Sequence, residues 1–192
     1  MNVGVFESCT TAMGPGKRAC LWVRGCSIKC AGCSTPDLIP SEPVTDRGMI
    51  SLFGELERAK EEHDIQGVSF SGGEPFDQAV VLAPLARFSR LMGLSTLCWS
   101  GYTLEQLQGS RAPEGAAALL SQLDVLIDGP FNRALIENQP QRGSSNQRVH
   151  LLSDRYSVDD LNSGHVEARL SAHGELIITG VADYRAIKAV LE

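Results

Sequence analysis

Short apolar runs alternate with longer amphipathic stretches along this 192-residue chain. The runs at 20–24 (Cys-Leu-Trp-Val-Arg), 67–71 (Gly-Val-Ser-Phe-Ser), 94–99 and 123–127 predict short buried strands. Between them, Met49, Leu52, Phe53, Leu56 and His63 fall on one helical face. Val80, Val81, Pro84, Leu85, Phe88, Leu91 and Met92 fall on another, with Asp77 as the expected N-cap and Pro84 as a kink or a restart. Thr103-Leu104-Glu105-Gln106 reads as a capping box opening a third helix, which the Ala- and Leu-rich stretch 114–122 extends or follows. Residues 138–148 are polar and read as a loop. Residues 165–171 and 174–179 alternate around His173-Gly174 and predict an antiparallel hairpin. A closing helix is expected over 183–191, with Tyr184, Ile187, Val190 and Leu191 inward.

Strand–helix alternation of this kind predicts an α/β fold with a parallel sheet, here in a single domain spanning 1–192. The residues just past each strand carry the chemistry. The four runs lead into Gly25-Cys26, Gly72-Gly73-Glu74, Ser100-Gly101-Tyr102 and Asp128-Gly129-Pro130. Parallel α/β folds build their sites on that strand edge, so four unlike signals converge on one rim.

Composition narrows the function. Apolar residues make up 43% and charged residues 21%, near the globular average. The net charge of −6 argues against nucleic acid as a partner, because phosphate binding wants a basic face. No stretch approaches the roughly 20 apolar residues of a membrane span. The N-terminus lacks the charged and apolar regions of a signal peptide. A cytoplasmic location is therefore expected, with cysteines kept reduced and serving metal or catalysis rather than disulfides.

Cys26, Cys30 and Cys33 form a C-x3-C-x2-C cluster. Zinc would need a fourth ligand, and the nearest histidine, His63, lies about one helix away. A redox dithiol would use Cys30 and Cys33 and leave Cys26 idle. An iron–sulfur cluster with one iron free of protein ligands uses all three. Gly25 and Gly32 let the backbone wrap closely, as N–H groups must when they hydrogen-bond to sulfur. Cys20 and Cys98 lie in apolar strands and read as core. His63, His150, His165 and His173 show no ligand spacing. In Gly72-Gly73-Glu74, bare backbone beside a carboxylate suits an ammonium group; the alternative is a tight turn with a solvated glutamate.

The cysteine spacing resembles the signature of the radical S-adenosylmethionine (SAM) superfamily. That resemblance implies a partial, open TIM-like (β/α) barrel. It implies one [4Fe–4S] cluster ligated by Cys26, Cys30 and Cys33, with SAM on the fourth iron. Gly72, Gly73 and Glu74 resemble the family's SAM-amino motif. Trp99-Ser100-Gly101-Tyr102-Thr103, Asp128-Gly129-Pro130-Phe131 and Arg142-Gly143-Ser144-Ser145-Asn146-Gln147 resemble segments of the anaerobic ribonucleotide reductase activases. By that likeness Ser100, Asp128, Arg142 and Asn146 join the SAM-binding set. Thr103 and Asp128 also read as an ordinary helix cap and turn residue, and Arg142–Gln147 as a polar loop. The resemblance further implies reductive cleavage of SAM to a 5′-deoxyadenosyl radical. That radical would take hydrogen from a glycine of a partner glycyl-radical enzyme, with flavodoxin or ferredoxin as reductant. A radical SAM enzyme acting on a peptide or small metabolite, and a non-catalytic iron–sulfur or zinc protein, are the alternatives.

Overall fold

A computed structural model describes residues 1–43, 46–162, 166–170, 174 and 176–181. Six strands form the main sheet: β1 (Val3–Thr10), β2 (Arg18–Val23), β3 (Gly67–Gly72), β4 (Ser95–Trp99), β5 (Val125–Asp128) and, after a two-strand hairpin, β8 (Arg148–Leu151). Their spatial order follows the chain, β1-β2-β3-β4-β5-β8. The inner four run parallel; β1 and β8 lie antiparallel at the two edges. Among the described residues β1 and β8 do not pair with each other, so the sheet stays open.

Helices supply the parallel crossovers. α1 (Met49–His63) links β2 to β3, α2 (Ala79–Leu91) links β3 to β4, and α3 (Leu104–Gln108) and α4 (Ala116–Leu120) link β4 to β5. Side chains alternate across the sheet with the period of two that a pleated strand imposes. On β5, Leu126 joins the main core with Leu21, Phe70, Leu56 and Leu82, while Val125 and Ile127 face a smaller cluster with Leu97 and Leu161. No helix among the described residues is long and apolar enough to cross a membrane.

At the sheet edge away from the cysteines, Arg18 is wholly buried. Its guanidinium donates to Ser69 Oγ (2.7 Å), Ser95 Oγ (2.9 Å), Val68 O (2.9 Å) and Tyr156 OH (3.1 Å). Neutral acceptors thus tie β2 to β3, to β4 and to the segment after β8. Burial pushes its pKa down.

The structure departs from the sequence pattern in several places. β1 is an edge strand the hydrophobic pattern leaves unmarked, with Val3 buried but Val5 49% exposed. The polar stretch 138–148 is a hairpin, β6 (Ile136–Gln139) and β7 (Arg142–Ser144), which leads into β8. α2 turns a different face inward. Ala79, Leu82, Ala83, Leu85, Ala86 and Ser89 are buried, whereas Val80, Val81 and Leu91 are exposed. The helix runs through Pro84 without a break. Its N-cap is Gln78, because Pro75–Gln78 forms a 3-10 turn that takes Asp77 out of the capping position. The capping box at Thr103 is present as expected. The C-terminal hairpin is present too, as β9 (Glu167–Leu170) paired antiparallel with β10 (Leu176–Thr179). The expected closing helix over 183–191 lies outside the described residues, as do His165 and His173.

Candidate iron–sulfur site

The loop after β2 carries all three clustered cysteines and folds back on the end of β3. Gly25 has φ +97°, a left-handed value that favours glycine. Its N–H donates to Leu38 O (2.9 Å), and Cys26 N–H donates to Ile39 O (3.0 Å). From β3, Gly73 N–H donates to Val23 O (2.7 Å) and Glu74 N–H to Gly25 O (2.8 Å). These bonds need backbone against backbone. A Cβ on Gly73 would fall inside contact distance of Gly25 O, and one on Gly72 would do the same with the backbone of Val23. The two glycines therefore seat the cysteine loop on the sheet. Their place beside Glu74 is as the sequence suggests, but the backbone is packed rather than bare.

Backbone N–H groups act on each clustered sulfur: those of Lys29 and Ile28 lower the Cys26 thiol, that of Phe131 lowers the Cys30 thiol, and Thr35 N–H lies 3.4 Å from Cys33 Sγ. All three cysteines are half-buried and free of disulfides. Burial pushes the Cys26 and Cys30 thiols up, with the N–H groups partly offsetting it. Among the described residues, no three His, Cys, Asp or Glu side chains converge as the ligands of one metal ion. A multi-iron cluster does not require that convergence, since each cysteine holds a different iron. Donors aimed at sulfur are what such a cluster uses to spread its negative charge. Cys20 and Cys98 are wholly buried in strands, where burial pushes their thiols well up.

Glu74 lies 1% exposed beneath this loop. Its Oε1 accepts from Phe76 N–H (3.0 Å) and Ser100 Oγ (2.8 Å); its Oε2 accepts from Gly101 N–H (2.7 Å). Ser100 is thus a partner of Glu74, with its own Oγ accepting from Tyr102 N–H (3.1 Å). Among the described residues, no cation is a main influence on this carboxyl. Burial pushes it up to about 7 despite the three donors, and Asp77 pushes the same way. A buried carboxyl this destabilised as an anion gains from an incoming ammonium.

Asp128 is buried to the same degree and is arranged differently. Its Oδ2 accepts from Leu104 N–H (2.6 Å), and its Oδ1 accepts from Arg148 Nε (3.0 Å). Arg148 also bridges to Glu105 with both terminal nitrogens (2.9 and 2.7 Å). His150 Nε2 sits 3.0 Å from Asp128 Oδ2 but out of line for a hydrogen bond. Burial works to raise the Asp128 carboxyl, and Arg148, Leu104 N–H and His150 outweigh it, holding it below its ordinary value. Arg148 is the residue that sequence reasoning missed; an arginine in a polar run gives no sign of the buried acid it meets.

The Arg142–Gln147 segment braces its neighbour. Arg142 Nη1 donates to Gln147 O (3.2 Å), and Asn146 Nδ2 to Pro130 O (2.7 Å). Gln147 bonds Gly129 O (3.1 Å) and accepts from Gly143 N–H (2.8 Å). These contacts set the 129–133 turn, from which Phe131 N–H reaches Cys30 and Arg133 packs over Gly32. Glu74 and Ser100 meet beside the cysteine loop. Asp128, Arg142 and Asn146 are each bonded within the protein around the turn that follows β5.

Comparison with known proteins points the same way. Residues 12–150 match the family described as a 4Fe-4S single cluster domain. An anaerobic ribonucleoside-triphosphate reductase-activating protein of Vibrio cholerae is 32% identical over 161 residues, covering 78% of this chain and 97% of the relative. Its Escherichia coli K12 counterpart is 31% identical over 160 residues, covering 79% and 99%. The chain belongs to this family of activating proteins built on a single 4Fe-4S cluster domain. The bacteriophage T4 member is 29% identical over 156 residues, covering 78% of this chain and 93% of its own. The matched region runs from the turn after β1 to β8, so it holds the whole parallel sheet and every bond that seats the cysteine loop. For an activating protein of this kind, the single cluster has one closely spaced cysteine set available, Cys26, Cys30 and Cys33.

Proposed function

We propose that this chain is a radical SAM activase. Cys26, Cys30 and Cys33 ligate three irons of its [4Fe–4S] cluster, and the fourth iron holds SAM. When bound, the pair supplies a 5′-deoxyadenosyl radical able to take hydrogen from a backbone glycine of anaerobic ribonucleotide reductase. Flavodoxin or ferredoxin serves as reductant, and the protein works in the cytoplasm. In this reading the open sheet, with four parallel strands and the site at their ends, corresponds to a partial TIM-like barrel of that superfamily.

The observation that carries this reading is the pairing of two incomplete arrangements. Three cysteine sulfurs with backbone donors lack a fourth cysteine close by in the sequence. Beside them Glu74 is buried with three donors and, among the described residues, no cation as a main influence. One molecule carrying an ammonium and an iron-chelating end satisfies both. In this scheme Glu74 accepts the SAM ammonium, with Ser100 and Gly101 holding the carboxylate still. Phe131, Ile28, Lys29 and Thr35 orient and stabilise the sulfurs. Asp128, Arg142 and Asn146 keep the far rim in place.

Anaerobic reconstitution tests the proposal. The loaded protein, reduced in the presence of SAM, is expected to form methionine and 5′-deoxyadenosine, and to raise a glycyl-radical signal on purified anaerobic ribonucleotide reductase. A colourless, zinc-loaded product would overturn the chemistry. SAM cleavage without any radical on the reductase would overturn the partner.

A further inference from the structure

Asp77 lies just past the Gly72–Glu74 turn, outside the cysteine ligands and the SAM-binding set. Its side chain reaches back to the cysteine loop. Oδ2 accepts from Ser27 N–H (2.7 Å) and Oδ1 from Ser27 Oγ (2.8 Å), so the carboxylate grips one residue through two bonds. Tyr102 OH donates to the same Oδ1 (3.1 Å) and lies 2.9 Å from Ser27 Oγ. Three residues from three strand ends thus close a small ring: Ser27 after β2, Asp77 after β3 and Tyr102 after β4. Ile28 packs into the space left by Gly101, where a Cβ would fall 2.9 Å from Ile28 Cγ1.

Ser27 stands between Cys26 and the two residues whose N–H groups face the Cys26 sulfur, Ile28 and Lys29. Lys29 has φ +52°, a left-handed value for a residue with a side chain, so this turn needs outside support. Fixing Ser27 at both its N–H and its hydroxyl fixes where the next two amides point. Hydrogen bonds to cluster sulfurs favour the more negative, reduced state and so raise the reduction potential.

We propose that Asp77 is a positioning residue for the cluster: through Ser27 it holds the Ile28 and Lys29 amides on the Cys26 sulfur and thereby sets the cluster's reduction potential. The inference rests on Cys26 being a cluster ligand, as proposed above.

The test compares Asp77→Asn with Asp77→Ala. Both remove the same charge, but asparagine keeps an oxygen for Ser27 N–H and alanine keeps nothing. Two measurements are made. Hydrogen–deuterium exchange of the cluster-free protein reads the loop directly. Amides in the 26–33 segment should exchange about tenfold faster in Asp77→Ala than in Asp77→Asn, with β3 amides unchanged. Redox titration of the reconstituted protein, followed by the reduced cluster's electron paramagnetic resonance signal, should give a lower midpoint potential for Asp77→Ala than for Asp77→Asn. Equal exchange in the two variants, or equal potentials, would overturn the assignment. If the alanine variant fails to load a cluster, the exchange comparison and the potential of Tyr102→Phe decide it: Tyr102→Phe keeps every charge and should lie below wild type, and a wild-type potential would overturn the assignment. Failure of the underlying reading looks different: Cys26→Ala would then still assemble a cluster with the wild-type spectrum.

Discussion

Glu74 follows β3 and Asp128 ends β5, two strands apart on the same sheet rim, and both are carboxylates with almost no exposed surface. Their surroundings separate them. Asp128 is met by Arg148, a backbone N–H and a histidine, and is held as an anion. Glu74 is met by two N–H groups and a hydroxyl, and burial lifts it to about 7. The first is a finished structural tie between β5, α3 and β8. The second is left needing a cation. A strand-end carboxylate therefore says little by itself; the charge that answers it decides whether it braces the fold or waits for a ligand.

The contrast can be broken in several ways, the largest first. Replacing Cys26, Cys30 or Cys33 by Ala should abolish SAM cleavage and visible cluster, while Cys98→Ala, in the core of β4, should keep both. Equal loss from all four would misplace the site. Next comes the pH dependence of the cluster-free protein. Glu74 has a folded pKa of about 7 against an ordinary 4.5, so its protonated form is the one folding favours. That contribution is present in full below about 4.5 and is lost as pH rises through about 7. The shift corresponds to about 3 kcal/mol at most. Wild type should lose stability to urea from pH 5 to pH 8, and Glu74→Gln should remove most of that slope. SAM affinity should rise over the same interval, as the carboxylate becomes the anion an ammonium wants. Asp128→Ala leaves Arg148 without its buried partner and Leu104 N–H without an acceptor, costing about 2 kcal/mol in urea unfolding at pH 7. An unchanged midpoint would refute the brace. Smallest is Thr103→Ala, which removes a helix cap and should cost about 1 kcal/mol, read as a lower midpoint with unchanged m-value.

The same contrast explains what is legible in the sequence. The parallel strands stand out because each is a buried apolar run ending in glycine or a small polar residue. The cysteine spacing and the capping box are visible because each is local. What escapes the sequence depends on tertiary partners. α2 carries apolar residues on most of its circumference, so Val80, Val81 and Leu91 compete with the small residues Ala79, Ala83 and Ala86 that pack against the sheet. β1, β6 and β7 are half-exposed edge or hairpin strands without a continuous apolar run. Asp77 looks like a cap because helix caps are often acidic, and only the fold shows Ser27 above it. Arg142 and Asn146 match a functional motif in order and spacing, and only the fold shows their bonds to Gln147 O and Pro130 O.

The missing Cβ at Gly73 has a consequence beyond packing. The loop that carries Cys26 is pressed onto this one point of main chain, with Gly25 O against Gly73. Two segments far apart in the gene therefore share a single steric allowance. A methyl group added at position 73 touches no cysteine, but it would have to lift the whole cysteine loop from the sheet. The damage should look like a metal-loading defect in a protein whose strands are otherwise intact.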